Sequence, residues 1–93
     1  MKQGNLDEAK TMYERTIEGF ETALGPDHAN TLMAVNDLAL CHRDQGKLED
    51  AKAGFERALI GKEQTLGAEH PSTLVTVNNL AIVLMKQLSL IHI

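Results

Sequence analysis

The sequence predicts an all-α fold, four antiparallel helices stacked as a short segment of a solenoid. Three observations predict it. The chain repeats itself with a period of 42 residues: Gln3-Gly4-Asn5-Leu6-Asp7-Glu8-Ala9-Lys10 returns as Gln45-Gly46-Lys47-Leu48-Glu49-Asp50-Ala51-Lys52. Leu24-Gly25-Pro26-Asp27-His28 returns as Leu66-Gly67-Ala68-Glu69-His70, and Thr31-Leu32, Val35-Asn36 and Leu38-Ala39 return as Thr73-Leu74, Val77-Asn78 and Leu80-Ala81. A period in this range is that of stacked repeats. Within each unit apolar residues recur in steps of three and four, which trace one face of a helix. Glycines follow these stretches as stops, and no strand alternation occurs. A repeat also moves the functional question from catalysis to recognition, because stacked units build extended binding surfaces.

The first helix is expected from Asn5 to Leu24, with Leu6, Ala9, Tyr13, Ile17, Phe20 and Leu24 on its inner face. Asp7 and Glu8 suit its first turn, near the positive end of the helix dipole. Gly25 is placed as a left-handed C-terminal glycine, and Pro26 forbids continuation. The second helix is expected from Ala29 to Gln45, with Val35, Leu38, Ala39 and His42 inward. Gly46 ends it in a tight turn, and Gly4 is assigned the same duty one unit earlier. The third, Lys47 to Leu66, repeats the first: Leu48, Ala51, Phe55, Ala58, Leu59 and Leu66, then Gly67. The fourth runs from Pro71, a residue favoured at the first helical position, to Gln87, with Val77, Leu80, Ala81 and Leu84 inward. Ala9, Ala51, Ala39 and Ala81 are small where antiparallel helices must approach closely.

Composition narrows the function. The net charge is −4, and no basic cluster is present to neutralise phosphates, which argues against nucleic acid and anionic membranes as partners. No apolar run approaches the roughly 20 residues that cross a bilayer. The polar N-terminus carries no apolar signal core. Cys41 is the only cysteine, so no internal disulfide forms, and a cytoplasmic, reducing location is expected.

Nothing spells a catalytic or cofactor site. His28 and His70 lie beside Asp27 and Glu69 at equivalent places, but stacking separates equivalent positions by about 10 Å, too far for one metal. They read instead as helix caps, through the imidazole or the acid. Cys41 and His42 are adjacent and point about 100° apart on a helix, which rules out a nucleophile–base pair. Cys41 is a small packed residue, His42 a core or rim residue, and Met33 and Met85 gap filler or adaptable surface. Asn36, Asn78 and Asn79 stand out, because asparagine is a poor helix former that competes for backbone hydrogen bonds. Asn36 and Asn78 either fix repeat stacking or hold a ligand; Asn79 is assigned to ligand contact.

Leu38-Ala39, Gly46, Leu48, Ala51, Phe55 and Ala58 carry a family resemblance: their spacing is similar to that of the tetratricopeptide repeat. The longer period, with Leu24-Gly25-Pro26-Asp27-His28 and Asn78-Asn79-Leu80-Ala81, resembles the variant of kinesin light chains. The resemblance spans Gln3 to Gln87. It departs at His42, at Asp37 where Asn79 stands one unit later, and at Thr16 where Ala58 stands. It implies a right-handed superhelix of helix A–helix B hairpins, divided as a half repeat (1–25, helix B), a complete repeat (26–67) and a half repeat (68–87, helix A). Residues 88–93 form an atypical tail that resembles translated adapter read-through, the alternative being a natural apolar cap. The chain then reads as a slice of a longer array.

The resemblance further implies protein–protein interaction, with a partner peptide on the concave helix-A face. Carried over by position, the groove residues are Met33, Asn36, Asp37, Leu40, Arg43 and Asp44, then Val75, Asn78, Asn79, Ile82, Met85 and Lys86. Their mixed charges favour no single ligand charge. No enzyme activity, metal or cofactor is implied. The competing expectations are a structural spacer, a segment that self-associates through uncapped ends, or a regulatory region of an attached ATPase.

Overall fold

The computed structural model describes residues 3–91. It contains α1 (Gln3–Leu24), α2 (Ala29–Asp44), α3 (Leu48–Leu66) and α4 (Pro71–Ile91), and no strand among the described residues. Each helix packs against its neighbours in sequence, and the extents of 43 × 33 × 16 Å describe a flat stack. The expected boundaries hold within a few residues. The largest differences are at the ends of the chain. α1 already begins at Gln3, so Gly4 lies within its first turn and makes no bend. α4 continues four residues beyond Gln87, because Leu88, Leu90 and Ile91 are no obstacle to a helix. His92 and Ile93 of the expected tail lie outside the described residues.

The same devices close α1 and α3. Gly25 and Gly67 adopt φ of 100° and 95°, and Gly46 adopts 79°, conformations that cost other residues but not glycine. Gly25 N–H donates to the Glu21 carbonyl at 3.1 Å and Gly67 N–H to the Glu63 carbonyl at 3.2 Å. Of the two candidate caps, the imidazole is used. His28 Nδ1 accepts from Asn30 N–H and His70 Nδ1 from Ser72 N–H, each at 3.0 Å. Thr31 and Thr73, both fully buried, donate their hydroxyls to the carbonyls of Gly25 and Gly67 at 2.8 Å. Buried hydroxyls need such partners, and this one ties each helix start to the preceding stop. Farther along, Gln45 donates to Asp7 at 2.9 Å and Gln87 to Glu49 at 2.8 Å.

The core has two centres. Ile17, Ala34, Val35 and Ala58 form one, with Phe20 and Leu38 against it; Ala39, Ala51, Phe55 and Val83 form the other. α2 and α3 touch through two glycines that the periodicity did not mark. A Cβ on Gly54 would lie 2.9 Å from the Ala39 Cβ, and one on Gly61 would lie 2.5 Å from Leu32 Cδ1. Helix-interior glycine costs about 1 kcal/mol relative to alanine, and here it permits contact.

Two parts of the expected core are corrected. Leu24 and Leu66, at the helix ends, are exposed. In α4, Val77, Ala81 and Leu84 are exposed and Leu80 half-buried, while Thr73, Thr76 and Val83 are fully buried. The register is nevertheless that of α2. Leu32, Val35 and Ala39 are buried under α3, and their equivalents Leu74, Val77 and Ala81 face a side that no described helix covers. This also bears on the membrane expectation. Pro71–Leu90, 20 residues, is long and apolar enough to cross a bilayer by length and composition. Its apolar positions match those of core helix α2, and it carries Asn78 and Asn79 on a further face.

Candidate functional site

The side of α2 turned away from α1 and α3 is set by what those helices bury. Thr31, Leu32, Ala34, Val35, Ala39 and Cys41 go inward. Met33 and Asp44 remain exposed, with Asn36, Asp37, Leu40 and Arg43 half-buried between them. One period later, Val75, Asn78, Ile82, Met85 and Lys86 are exposed and Asn79 is half-buried. None of the twelve expected residues is fully buried, but Asp37, Leu40 and Asp44 border Leu6, Ala9 and Tyr13 of α1. α2 and α4 meet where the Thr76 hydroxyl donates to Asn36 Oδ1 at 3.4 Å.

The members differ in what they do locally. Asn36 makes the contact between stacked helices, and Leu40 packs on the cluster around Phe55. Arg43 Nε lies 3.7 Å from Asp44 Oδ1, an ion pair on the helix surface. Asn78 and Asn79 make no side-chain hydrogen bond to any described residue. Burial pushes the Asp37 carboxyl above its usual range, and the nearby Lys62 ammonium partly offsets this.

Lys62 was not marked by the sequence pattern. It is on α3, 9 % exposed, and its ammonium donates to Thr76 Oγ1 at 2.8 Å and to the Ser72 carbonyl at 3.3 Å. Burial depresses its pKa, and Asp37 opposes that shift. Lys62 also lines a cavity of about 240 Å³ formed by the first turns of α2 and α4 and the last turns of α3. The signal that would have found it is the mismatch in register: Lys62 and Thr76 stand 42 residues after Phe20 and Ala34.

The remaining reactive side chains have structural roles. The Cys41 thiol is buried, donates to the Leu6 carbonyl at 3.4 Å, and has its pKa raised, chiefly by burial. A buried thiol with a raised pKa is unreactive. Burial lowers the pKa of His42. Among the described residues no three His, Cys, Asp or Glu side chains cluster as metal ligands.

The tetratricopeptide repeat family model matches the chain twice, over residues 1–59 and 32–88. No curated protein matches the chain. Tetratricopeptide repeats form a non-enzymatic scaffold and generally mediate protein–protein interaction. The paired matches agree with helices that alternate in a fixed register, with helix-end devices recurring at a constant interval, and the chain belongs to the tetratricopeptide repeat family.

Proposed function

We propose that the chain binds an extended segment of a partner protein in a groove formed by α2 and α4, as part of a cytoplasmic array of the long, kinesin-light-chain-like type. One observation carries this reading. Asn78 and Asn79 occupy a helix interior where asparagine is a poor choice, yet neither side chain is used by the described structure. An amide offers both a donor and an acceptor to a peptide backbone. Exposed Met33, Val75, Ile82 and Met85 supply apolar contact alongside.

The test is the double variant Asn78→Ala/Asn79→Ala, measured against a peptide selected from a random library on the unaltered chain. Each lost hydrogen bond is expected to cost about 0.5–1.5 kcal/mol of binding. Alanine is the better helix former, so the melting temperature should hold or rise. Unchanged affinity with a lowered melting temperature would assign both asparagines to stacking.

The uncovered side of α4 favours a second reading, head-to-tail self-association. Arg57 bonds Glu21 at 2.6 Å, linking α3 to α1. In register, Arg15 and Glu63 are the corresponding halves, and neither has an ion-pair partner among the described residues. Stacking α1 of one copy on α4 of another would unite them and place Gly19 against Leu74, as Gly61 meets Leu32. Met12 would stand where Gly54 does, holding the helices farther apart. Sedimentation of Arg15→Glu, of Glu63→Arg and of the pair tests this. Each single reversal should reduce association and the double should restore it; three equal profiles would refute this mode of contact.

A further inference from the structure

We propose that the cavity beside Lys62 receives an acidic side chain of the bound peptide, with the Lys62 ammonium as its counter-ion. This deepens the groove reading and rests on it.

A comparison within the molecule shows that the charge is not required by the fold. The two units share their helix-end bonds, the stops Gly25 and Gly67, and the buried positions Thr31/Thr73, Ala34/Thr76 and Cys41/Val83. At the equivalent place in α1 the residue is Phe20, which packs on the Ile17, Ala34, Val35 and Ala58 cluster. Opposite it stands Ala34, where Thr76 stands one unit later. An aromatic ring and a methyl group therefore close one junction, and an ammonium and a hydroxyl close the other. Burying an ammonium is costly unless a counter-charge and hydrogen bonds accompany it. Thr76 and Ser72 supply two acceptors, but no carboxylate lies within 4 Å of Lys62 among the described residues. Asp37 is the acid whose charge acts on it, and it does not line the cavity.

The cavity suits the missing partner in size and chemistry. At about 240 Å³ it is smaller than the sites that take cofactors or drug-sized molecules, and has room for a side chain. Leu32, Met33 and Leu66 give it apolar walls for a methylene stem, and Asn30 and Asn36 offer amide donors. Lys62 is the only charged residue in its lining, which contains no acid. A carboxylate entering such a site meets attraction strengthened by the scarcity of water around it. Lys62 therefore sets the ligand preference that the mixed surface charges of the groove leave undecided.

The test uses phage-displayed random dodecapeptides selected on the chain and on Lys62→Met. Methionine approximates the apolar role of Phe20, so this variant should keep its fold and hold or raise its melting temperature. The proposal expects selected peptides to share one Asp or Glu position on the unaltered chain and to lose that preference on Lys62→Met. Changing that acid to its amide should weaken binding to the unaltered chain by about tenfold or more. This peptide exchange requires no variant protein. Selected peptides with no acidic preference, or an equal loss on both proteins, would overturn the pocket and leave the groove standing. A second arm titrates N-acetylglutamate and N-acetylglutamine, read through the backbone amides of Asn30, Asn36, Thr65 and Ser72. Shifts from the acid alone, with no peptide selected, would support the pocket and overturn the groove. Equal or absent shifts with no peptide selected would overturn both.

Discussion

Ala51→Glu is expected to remove a large share of the chain's stability, whereas Lys52→Glu leaves it nearly unchanged. Ala51 is 0 % exposed, packed with Ala39, Phe55 and Val83, and no cation lies in that cluster. Glutamate there adds volume to a filled site and strands a carboxylate in it, an effect on the order of 4 kcal/mol or more. The residue stands in the first turns of α3, where the helix dipole favours an acid by only about 0.3–1 kcal/mol. The dipole cannot offset the burial. Lys52 is half-buried, and its replacement should stay within about 0.5 kcal/mol. Small domains have roughly 5–15 kcal/mol in total, so urea melts by circular dichroism will separate the two variants. Similar midpoints would show that the helix is rotated from the phase described.

Leu32→Ala and Leu74→Ala are the second pair, identical chemistry at equivalent positions. Leu32 is 1 % exposed and its terminal methyls fill the notch left by Gly61. Truncating it removes buried carbon and leaves a cavity, at about 2–5 kcal/mol. Leu74 is 46 % exposed on the side of α4 that no described helix covers. Its truncation should cost about 0.5 kcal/mol, as for surface sites. The second value should rise toward the first once a following helix is added to the chain, because burial rather than residue type sets the cost. Melts of both variants, with and without that added helix, check the comparison. A Leu74→Ala cost unchanged by the added helix would mean that α4 does not continue the stack in the register of α2.

These expectations show where the sequence was sufficient. Glycine stops, Pro71 and the apolar steps located all four helices, because those signals act locally. The period likewise puts Met33 and Val75 at equivalent places in α2 and α4. Whether a face is covered depends on the neighbouring helix and not on the face itself. Val77 and Leu84 read as core for that reason, and only the packing shows them exposed. Gly54 and Gly61 were passed over because a glycine inside a helix scores as a defect until the Ala39 or Leu32 side chain that occupies its space is seen. Lys62 escaped notice because a lysine within a helix normally reaches water. Its burial follows from Ser72 and Thr76, which belong to a different helix.

The latch from Thr31 to Gly25, repeated from Thr73 to Gly67, has a consequence for how such a chain can change in length. Each latch, each imidazole cap and the stops Gly25 and Gly67 find their counterparts one full period away. A gene duplication or loss spanning 42 residues would rejoin like with like wherever its breakpoints fell. One residue more or fewer within a helix would turn everything beyond it by about 100°, swinging Leu32 or Phe55 toward water and Asp37 or Lys52 toward the core. Rotation about the helix axis therefore penalises any change of length other than a whole unit.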